Sequence, residues 1–231
     1  MSNHDYASTQ LAKVLTRIQN ACTAAGRNPD AVRLVGASKR QSAELINAFA
    51  EAGLRDVGEN YLQEAQQKQV ALRDTPLQWH YIGQIQSNKC KSIADHFSWV
   101  HGVDRLKVAQ RLHHYTPPER APLKVLVQIN IDDEQSKAGV CVQEAPDLCA
   151  QISELGHLSL AGLMLIPAPQ PDPERQRATF AEARNLLSRI NQRHGLNLSE
   201  LSMGMSNDLE QAIQEGSTMV RIGTDLFGAR S

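Results

Sequence analysis

The sequence predicts an α/β protein: a single (β/α)8 barrel, of the TIM-barrel type, with one extra helix at its N-terminal end. Short apolar runs alternate with stretches of helical periodicity, which is typical of parallel sheets. Eight such pairs can be counted, and eight units favour closure into a barrel over an open sheet. The length of 231 residues also suits one barrel domain. We therefore predict a single domain over residues 1–231.

The extra helix is predicted over residues 5–25, where apolar residues recur at helical spacing before Gly26. The eight predicted strands cover residues 32–38, 56–59, 78–82, 99–103, 124–130, 159–164, 200–203 and 220–222. The clearest helices among those that follow them cover residues 43–52, 61–72, 105–115, 174–193 and 209–215. The second and fourth strands are short and contain ionisable side chains. If two strands were wrong, an open sheet would be the better description.

Composition argues against several classes of function. A formal net charge of −1 does not favour a nucleic-acid or membrane surface. No apolar run is long enough for a transmembrane helix, and the N-terminal residues do not resemble a signal peptide. The 4 cysteines lack Cys-x-x-Cys spacing, and no histidine pair has the i,i+4 spacing of a helical zinc site. We expect no metal and a cytoplasmic location.

One proline-rich segment, residues 167–173, resembles a domain linker in composition. It lies between a predicted strand and a long predicted helix. We therefore interpret it as a stiff loop at the mouth of the barrel rather than as a boundary between domains.

Lys39 follows the first predicted strand directly. A lysine at the carboxyl end of a barrel strand lies where active sites form in this fold. Partial desolvation lowers the pKa of such an amine and makes it nucleophilic. It can then form a Schiff base with an aldehyde, of which pyridoxal phosphate is the usual one. The alternative is an ordinary solvated lysine.

The ends of the last two strands contain glycines and hydroxyl groups. Many barrels bind phosphate with these two loops. Gly204 and Gly223 allow backbone amides to approach an anion, and Ser206 and Thr224 add hydroxyl donors. Ser206 also precedes a helix, whose N-terminus favours negative charge. Singly, Ser206 could be only a helix cap and Gly223 only a turn residue; together they favour a phosphate site.

Arg221 precedes Gly223 and is predicted to lie inside the barrel. A buried guanidinium needs a partner, because an unpaired buried charge is very costly. One candidate is an ion pair with an inward carboxylate such as Glu59. The other is a hydrogen bond to a cofactor ring nitrogen, which a permanently charged arginine would leave unprotonated.

With these residues in view, the chain resembles the pyridoxal phosphate homeostasis protein family, which is related to the N-terminal barrel of alanine racemase. The resemblance covers nearly the whole chain. The segments that carry it are 37–39, 58–61 with 63–64, 79–83, 86–89, 128–130, 136–139, 162–164 with 166–167, 201–206, and 221–224 with 227–230.

The resemblance implies that pyridoxal phosphate (PLP) is the cofactor and that Lys39 carries it as a Schiff base. It implies that Ser206, Gly223 and Thr224 hold the phosphate. It further implies that Arg221 faces the ring nitrogen.

The same resemblance implies that Asn60 and His80 lie near the cofactor and makes Lys137 a secondary PLP candidate. For Lys137 the alternative is a solvated loop lysine. Many family members follow the Schiff-base lysine with Thr-Lys-Pro, whereas this chain has Arg40-Gln41-Ser42. A role for that second lysine in cofactor release is therefore not expected here. Asn207 stands where Asp is common, a change of little expected effect.

Racemases of this type take a second acid/base group from a separate β domain. This sequence ends at Ser231, soon after its eighth predicted strand. We therefore expect a PLP-binding protein for intracellular PLP homeostasis, one that buffers the cofactor and delivers it transiently to apo-enzymes, rather than an enzyme. A weak PLP-dependent amino-acid racemase is the alternative. We also expect a monomer.

A third class, a barrel hydrolase, has one feature in its favour. Gly204-Met205-Ser206 begins like a nucleophile elbow, but Asp208 stands where the second glycine is required. No histidine follows Ser206 in the sequence. The hydrolase hypothesis is therefore discounted.

Overall fold

A sheet of parallel strands closes on itself and confirms the predicted barrel. The structure is a computed structural model that describes residues 2–134 and 137–228. Eight strands pair in the order β1-β2-β3-β4-β5-β7-β8-β9, and β9 pairs with β1. The strands are β1 (Arg33–Ala37), β2 (Asp56–Glu59), β3 (Gln78–Tyr81), β4 (Trp99–Val103), β5 (Leu123–Asn130), β6 (Val140–Cys141), β7 (Leu158–Leu165), β8 (Glu200–Ser202) and β9 (Met219–Ile222).

Helices cover the barrel strands from outside, and each of them except α1 follows a strand in the sequence. They are α1 (Asn3–Ala24), α2 (Ala43–Glu51), α3 (Leu62–Ala71), α4 (Cys90–His96), α5 (Leu106–Tyr115), α6 (Ala145–Ser153), α7 (Pro173–His194), α8 (Leu209–Gln214) and α9 (Thr224–Phe227). The predicted bounds of β2 and β4 are confirmed, and the other predicted strands are correct to within one residue at each end. The two-residue strand β6 was not predicted, because two residues carry no periodicity; it pairs only with the end of β5. No helix in the described part of the chain is long and apolar enough to cross a membrane.

The N-terminal helix α1 is determined by its cap and its apolar face. Ser2 and Asp5 form a reciprocal capping box, which satisfies two backbone N–H groups at the helix start. Leu11, Val14 and Ile18 recur on one face and are buried. Through this face α1 packs against α2, α8 and α9, and so joins the first βα unit to the last two.

The interior of the barrel has its own small apolar cluster, separate from the larger core between strands and helices. It consists of Trp99, Leu126, Met164 and Met219, which come from β4, β5, β7 and β9. Side chains that point inward from several strands pack in layers in such barrels. Because these side chains fill the interior, a ligand can bind only above them, at the carboxyl ends of the strands.

We expect Gly162→Ala to destabilise the barrel strongly. Gly162 of β7 pairs with Glu200 of β8, and a Cβ at Gly162 would lie 1.8 Å from the Glu200 carbonyl oxygen. Since the clash is with backbone, the two strands would have to separate, at a cost on the order of 3 kcal/mol. Urea unfolding measures the change. Gly156→Ala is the control, because a Cβ there meets nothing within 4 Å, and an equal loss in both variants would contradict the packing argument.

Candidate functional site

A cavity of about 690 Å³ opens at the carboxyl ends of the strands, where barrel sites form. It is bounded by the chain after β1, β2 and β3, by the loops after β7 and β8, and by the end of β9. The proline-rich loop after β7 contributes Pro167, Pro169, Pro171 and Pro173 to the wall. This placement agrees with the prediction of a loop at the barrel mouth.

Six of the residues predicted for the site line this one cavity, although they are far apart in the sequence. They are Lys39, Asn60, Ser206, Arg221, Gly223 and Thr224. Their convergence follows from strand pairing. Because β1 pairs with β9, Val35 lies opposite Arg221 and Gly36 opposite Ile222, which brings the chain after each strand to the same edge.

His80 is not among the residues that line the cavity. Its ring is fully buried, with Nε2 2.8 Å from Asp56 Oδ1 and Nδ1 2.9 Å from His101 Nε2. Residues two apart on a strand face the same side, and Ile82 occupies the cavity wall while His80 lies one layer deeper. The prediction that His80 lies near the cofactor is therefore corrected: the structure places it in the barrel interior.

Lys137 also lies outside the cavity, in the loop between β5 and β6. Its ammonium lies 2.9 Å from Asp132 Oδ2 and 3.1 Å from Glu134 Oε1. Slight burial lowers the pKa of Lys137, but the hydrogen bonds and charges of the two carboxylates outweigh it and leave the pKa raised. A raised pKa opposes nucleophilic attack by this amine. The neighbouring Ser136, part of the segment 136–139, lies outside the described residues.

A buried polar cluster supports the segment that carries Lys39. The Lys68 ammonium donates to the Ser38 carbonyl oxygen at 2.7 Å, to Glu59 Oε1 at 2.7 Å and to Glu64 Oε1 at 2.6 Å. The Ser38 hydroxyl donates to Glu59 Oε1 at 2.6 Å. The backbone N–H of Arg40 also donates to Glu64. The backbone on both sides of Lys39 is thus tied to α3.

Glu59 and Arg40 show that this arrangement has a cost. Burial raises the pKa of Glu59, although Lys68 and Ser38 act in the opposite direction. Glu59 Oε2 has no hydrogen-bond partner in the described part of the chain. Arg40 has a φ of 62°, a left-handed conformation that few non-glycine residues adopt. The turn after Lys39 is therefore held by its surroundings.

Arg221 lines the cavity although it is only 4 % exposed. Its Nη1 donates to the carbonyl oxygen and the hydroxyl of Ser202, at 2.6 and 2.7 Å, and its Nη2 donates to the Leu165 carbonyl oxygen at 2.8 Å. Burial lowers the pKa of Arg221 to about 10, and the charge of Asp208 partly opposes this. The predicted alternative of an ion pair with Glu59 is wrong, since Glu59 bonds to Lys68 and Ser38.

The two loops with the predicted phosphate ligands are tied together by Arg17 of α1. Its Nη2 donates to the Ser206 carbonyl oxygen at 3.0 Å, and its Nε lies 2.8 Å from Glu210 Oε1. Its Nη1 pairs with Asp225, which follows Thr224. No spacing in the sequence relates Arg17 to these loops, so sequence reasoning missed it.

Gly204 has a different role from the predicted one. It does not line the cavity; its φ is 96°, and a Cβ there would lie 2.6 Å from Ala212 Cβ. Its carbonyl oxygen accepts the Arg221 backbone N–H at 2.9 Å. Gly204 therefore permits close packing beneath the loop rather than approach of an anion. The helices after both loops are short, six residues in α8 and four in α9, so their dipoles add little.

Asp208 is a cavity residue that the sequence argument treated only as a departure from a hydrolase motif. Its Oδ1 accepts the Met205 backbone N–H at 2.6 Å, and its Oδ2 lies 3.4 Å from Gln176 Nε2. Burial raises the pKa of this carboxyl, and the Met205 bond and the Arg221 charge act in the opposite direction. The carboxylate thus shapes the Ser206 loop.

Fold and site together define a class: an α/β barrel with a lysine after its first strand and hydroxyl-bearing loops after its last two. The model of the alanine racemase N-terminal domain matches residues 10–231. The pyridoxal phosphate homeostasis protein of Pseudomonas aeruginosa is 52% identical over 220 residues, 95% of this chain and 94% of that protein. The protein of that name from Escherichia coli K12 is 44% identical over 223 residues, 95% of each chain. The chain belongs to the pyridoxal phosphate homeostasis protein family, with the alanine racemase N-terminal domain as its fold.

Solved structures agree with this membership. PipY of Synechococcus elongatus with PLP bound superposes with a TM-score of 0.85 at 34% identity, over 96% of this chain and 100% of PipY. An alanine racemase of Clostridium difficile superposes with a TM-score of 0.76 over 97% of this chain and 57% of the racemase. At 15% identity, the racemase shares the fold alone.

We expect Lys68→Met to destabilise the protein by about 3–5 kcal/mol, because it leaves the buried Glu59 carboxylate without its cation. The raised folded-state pKa of Glu59 means that its contribution to stability is present below the ordinary value of 4.5 and is lost as pH rises through the folded value. Without Lys68 that pKa rises further, so the loss of stability with rising pH is larger and extends to higher pH.

Urea unfolding at about pH 5 and about pH 8 measures this difference. The matched control is the double variant Lys68→Met/Glu59→Gln, which removes the buried charge as well as its partner. It should recover part of the stability at the higher pH. If the single variant unfolds with the same pH dependence as the unsubstituted protein, Lys68 does not compensate Glu59.

Proposed function

We propose that this protein binds PLP and serves in its intracellular homeostasis, with the cofactor held on Lys39. The observation that carries the proposal is the single cavity lined by Lys39, by Arg221, and by the hydroxyl-bearing loops at Ser206 and Thr224. These groups match a phosphorylated pyridine aldehyde: the amine suits the aldehyde, the hydroxyl-bearing loops suit the phosphate, and the buried cation suits the ring nitrogen. The 34% identical PipY, whose structure contains PLP, supports the same ligand class.

Lys39 acts as the nucleophile in this proposal. Its neutral amine would add to the aldehyde carbon, and loss of one water molecule would leave a C=N bond, which is the Schiff base. The buried Ser38, Glu59 and Lys68 cluster holds the strand end, so that Lys39 meets the aldehyde in one orientation.

Ser206, Gly223 and Thr224 bind the phosphate through hydroxyl groups and backbone amides. Gly223 has no Cβ, and one built there would lie 3.4 Å from the Ala37 carbonyl oxygen, so the loop lies close to the end of β1. Asn60 lines the same cavity from the end of β2, where its amide would contact the cofactor ring or its substituents.

Arg221 faces the ring nitrogen. When bound, PLP supplies an electron sink only as far as that nitrogen is protonated. The guanidinium, which keeps its own proton at neutral pH, donates a hydrogen bond and leaves the nitrogen unprotonated. Storage of the cofactor is thus favoured over carbanion chemistry on it.

A non-enzymatic role fits the polar groups of the cavity. Efficient racemisation needs an acid or base within hydrogen-bonding reach of the substrate proton. Among the described residues that line the cavity, Asp208 is the one with a carboxylate, and its oxygens are engaged with Met205 and Gln176. A weak amino-acid racemase remains the second candidate, because PLP on a lysine has some intrinsic reactivity, and turnover of alanine or serine tests it.

We propose that the protein acts in the cytoplasm and hands PLP transiently to apo-enzymes. Its cysteines, Cys22, Cys90, Cys141 and Cys149, are free thiols, as suits a reducing compartment. Lys137 is kept as a secondary PLP residue only at excess cofactor, because its carboxylate partners favour the ammonium form. The monomeric state stays a prediction.

Lys39→Ala should abolish the yellow colour that PLP gives to the protein. In the unsubstituted protein, borohydride should convert the C=N bond to a stable amine on the peptide that contains Lys39, as measured by visible absorbance and peptide mass spectrometry. Lys13→Ala is the control, because Lys13 is exposed on α1. A colourless protein that takes up no added PLP would overturn the proposed function.

Arg17→Met should weaken PLP binding by roughly tenfold, about 1.4 kcal/mol, because the two phosphate loops lose their common tie to α1. The dissociation constant can be measured by titration of the absorbance band. Lys13→Met, on the same helix, should bind as the unsubstituted protein does. Unchanged affinity in Arg17→Met would show that the loops hold their positions without α1.

A further inference from the structure

A chain of buried polar side chains crosses the barrel interior below the cavity. It begins at Arg221, whose Nη1 lies 2.7 Å from Ser202 Oγ, and Ser202 Oγ lies 2.9 Å from His101 Nδ1. His101 Nε2 lies 2.9 Å from His80 Nδ1. Ser202, His101 and His80 are all 0% exposed. The proposed function uses none of these three residues.

The far end of the chain lies on the opposite side of the barrel. His80 Nε2 is 2.8 Å from Asp56 Oδ1, which also accepts a hydrogen bond from Arg33 at 3.1 Å. Arg33 and Asp56 line a second cavity, together with residues of α1 such as Leu11 and Ile18. The chain thus runs from the proposed cofactor cavity to the amino-terminal end of the strands.

The donors and acceptors allow one direction through the chain when both histidines are neutral. Arginine only donates, so Ser202 Oγ accepts from Arg221 and its own proton can go to His101 Nδ1. His101 then carries its proton on Nε2 and donates to His80 Nδ1. His80 in turn carries its proton on Nε2 and donates to the Asp56 carboxylate.

The reverse direction fails at the carboxylate. If His101 donated from Nδ1 to Ser202, its Nε2 would accept from His80 Nδ1. Neutral His80 would then present a bare Nε2 to Asp56, and two acceptors would face each other. Burial lowers the pKa of both histidines, which favours their neutral forms. Burial raises the pKa of Asp56, but His80 and Arg33 outweigh this and leave it lowered, so it stays a carboxylate.

The direction of the chain has an electrostatic consequence. Every O–H and N–H bond in it points away from the Arg221 cation and towards the Asp56 anion. Hydrogen bonds aligned in this way polarise one another, and each dipole is favourable to both end charges. Within the described residues, no carboxylate lies within 4.0 Å of the Arg221 guanidinium nitrogens; the salt bridges found involve other arginines. Neutral oxygens and this chain contact the guanidinium directly, and the charge of Asp208 also favours the cation.

We propose that Ser202, His101 and His80 are positioning residues, which couple the Asp56 carboxylate to Arg221 and so hold the guanidinium charged and oriented at the cofactor ring. The inference rests on the proposed function for its effect on PLP. The hydrogen-bond direction itself belongs to the protein without cofactor.

The direction is tested on the unsubstituted protein without PLP, labelled with 15N-histidine. Long-range 1H–15N spectra report which ring nitrogen carries the proton. We expect His80 and His101 both as neutral rings with the proton on Nε2. A proton on Nδ1 of His101, or a doubly protonated ring at either position, would overturn the chain whether or not the protein binds PLP.

The effect on the cofactor is tested with Ser202→Ala. This substitution removes the hydroxyl that connects Arg221 to His101 but leaves Arg221 its two backbone carbonyl acceptors. We expect about tenfold weaker PLP binding and a shifted visible band, with borohydride labelling still on Lys39. Ser217→Ala is the matched control: Ser217 is buried nearby and donates to the Met203 carbonyl oxygen at 2.7 Å, outside the chain.

The outcomes separate the two proposals. If Ser202→Ala and Ser217→Ala give the same affinity and the same band, the positioning role is overturned while PLP binding stands. If the unsubstituted protein takes up no PLP, the proposed function falls, and the histidine spectra still decide the direction of the chain. If Ser202→Ala does not fold, the histidine spectra of the unsubstituted protein still test the chain, and a different protonation of either ring overturns the coupling of Asp56 to Arg221.

Discussion

The register between β1 and β9 is the constraint on which the candidate site depends. These strands are separated by most of the chain, yet their pairing sets Val35 opposite Arg221 and Gly36 opposite Ile222. A slip of one residue would turn Arg221 to the outside, because side chains alternate between the faces of a strand. Lys39 and the loop at Gly223 share a cavity only in this register. Closure of the sheet through β4 and β5 removes the free edges at which a slip could occur.

The buried parts of the protein contain charged groups that a purely apolar core would avoid, and these groups are stabilised in two ways. Lys68 and Glu59 pair directly, whereas Arg221 is surrounded by neutral oxygens. A buried ion pair is weak evidence for stability, since desolvation offsets much of the attraction. Both arrangements are better understood through geometry: one holds the backbone beside Lys39, and the other holds a cation at the cavity wall.

Much of this architecture was predictable, and the failures have physical reasons. The bounds of β2 and β4 and five of the six cavity residues followed from local pattern, because a parallel barrel brings every strand end to one mouth; the role of Asn60 came from the family resemblance. The family resemblance implied that His80 lies near the cofactor, but a match of positions does not give the depth of a side chain in the barrel, which depends on the tilt of the strands. Arg17 was missed because its partners lie 189 to 208 positions away. Gly204 was assigned to anion binding because a sequence does not reveal which side of a turn is crowded.

The position of α1 has a consequence for the order of events during synthesis. This helix leaves the ribosome before any barrel strand, but its buried face packs on α8 and α9 as well as on α2. The Arg17 guanidinium of α1 can pair with Glu210 and Asp225 only after nearly the whole chain has left the ribosome. A nascent chain can therefore form early βα units, but Arg17 can tie the loops after β8 and β9 together only late in synthesis. The cavity that these loops complete therefore forms late in synthesis, when both ends of the chain are present.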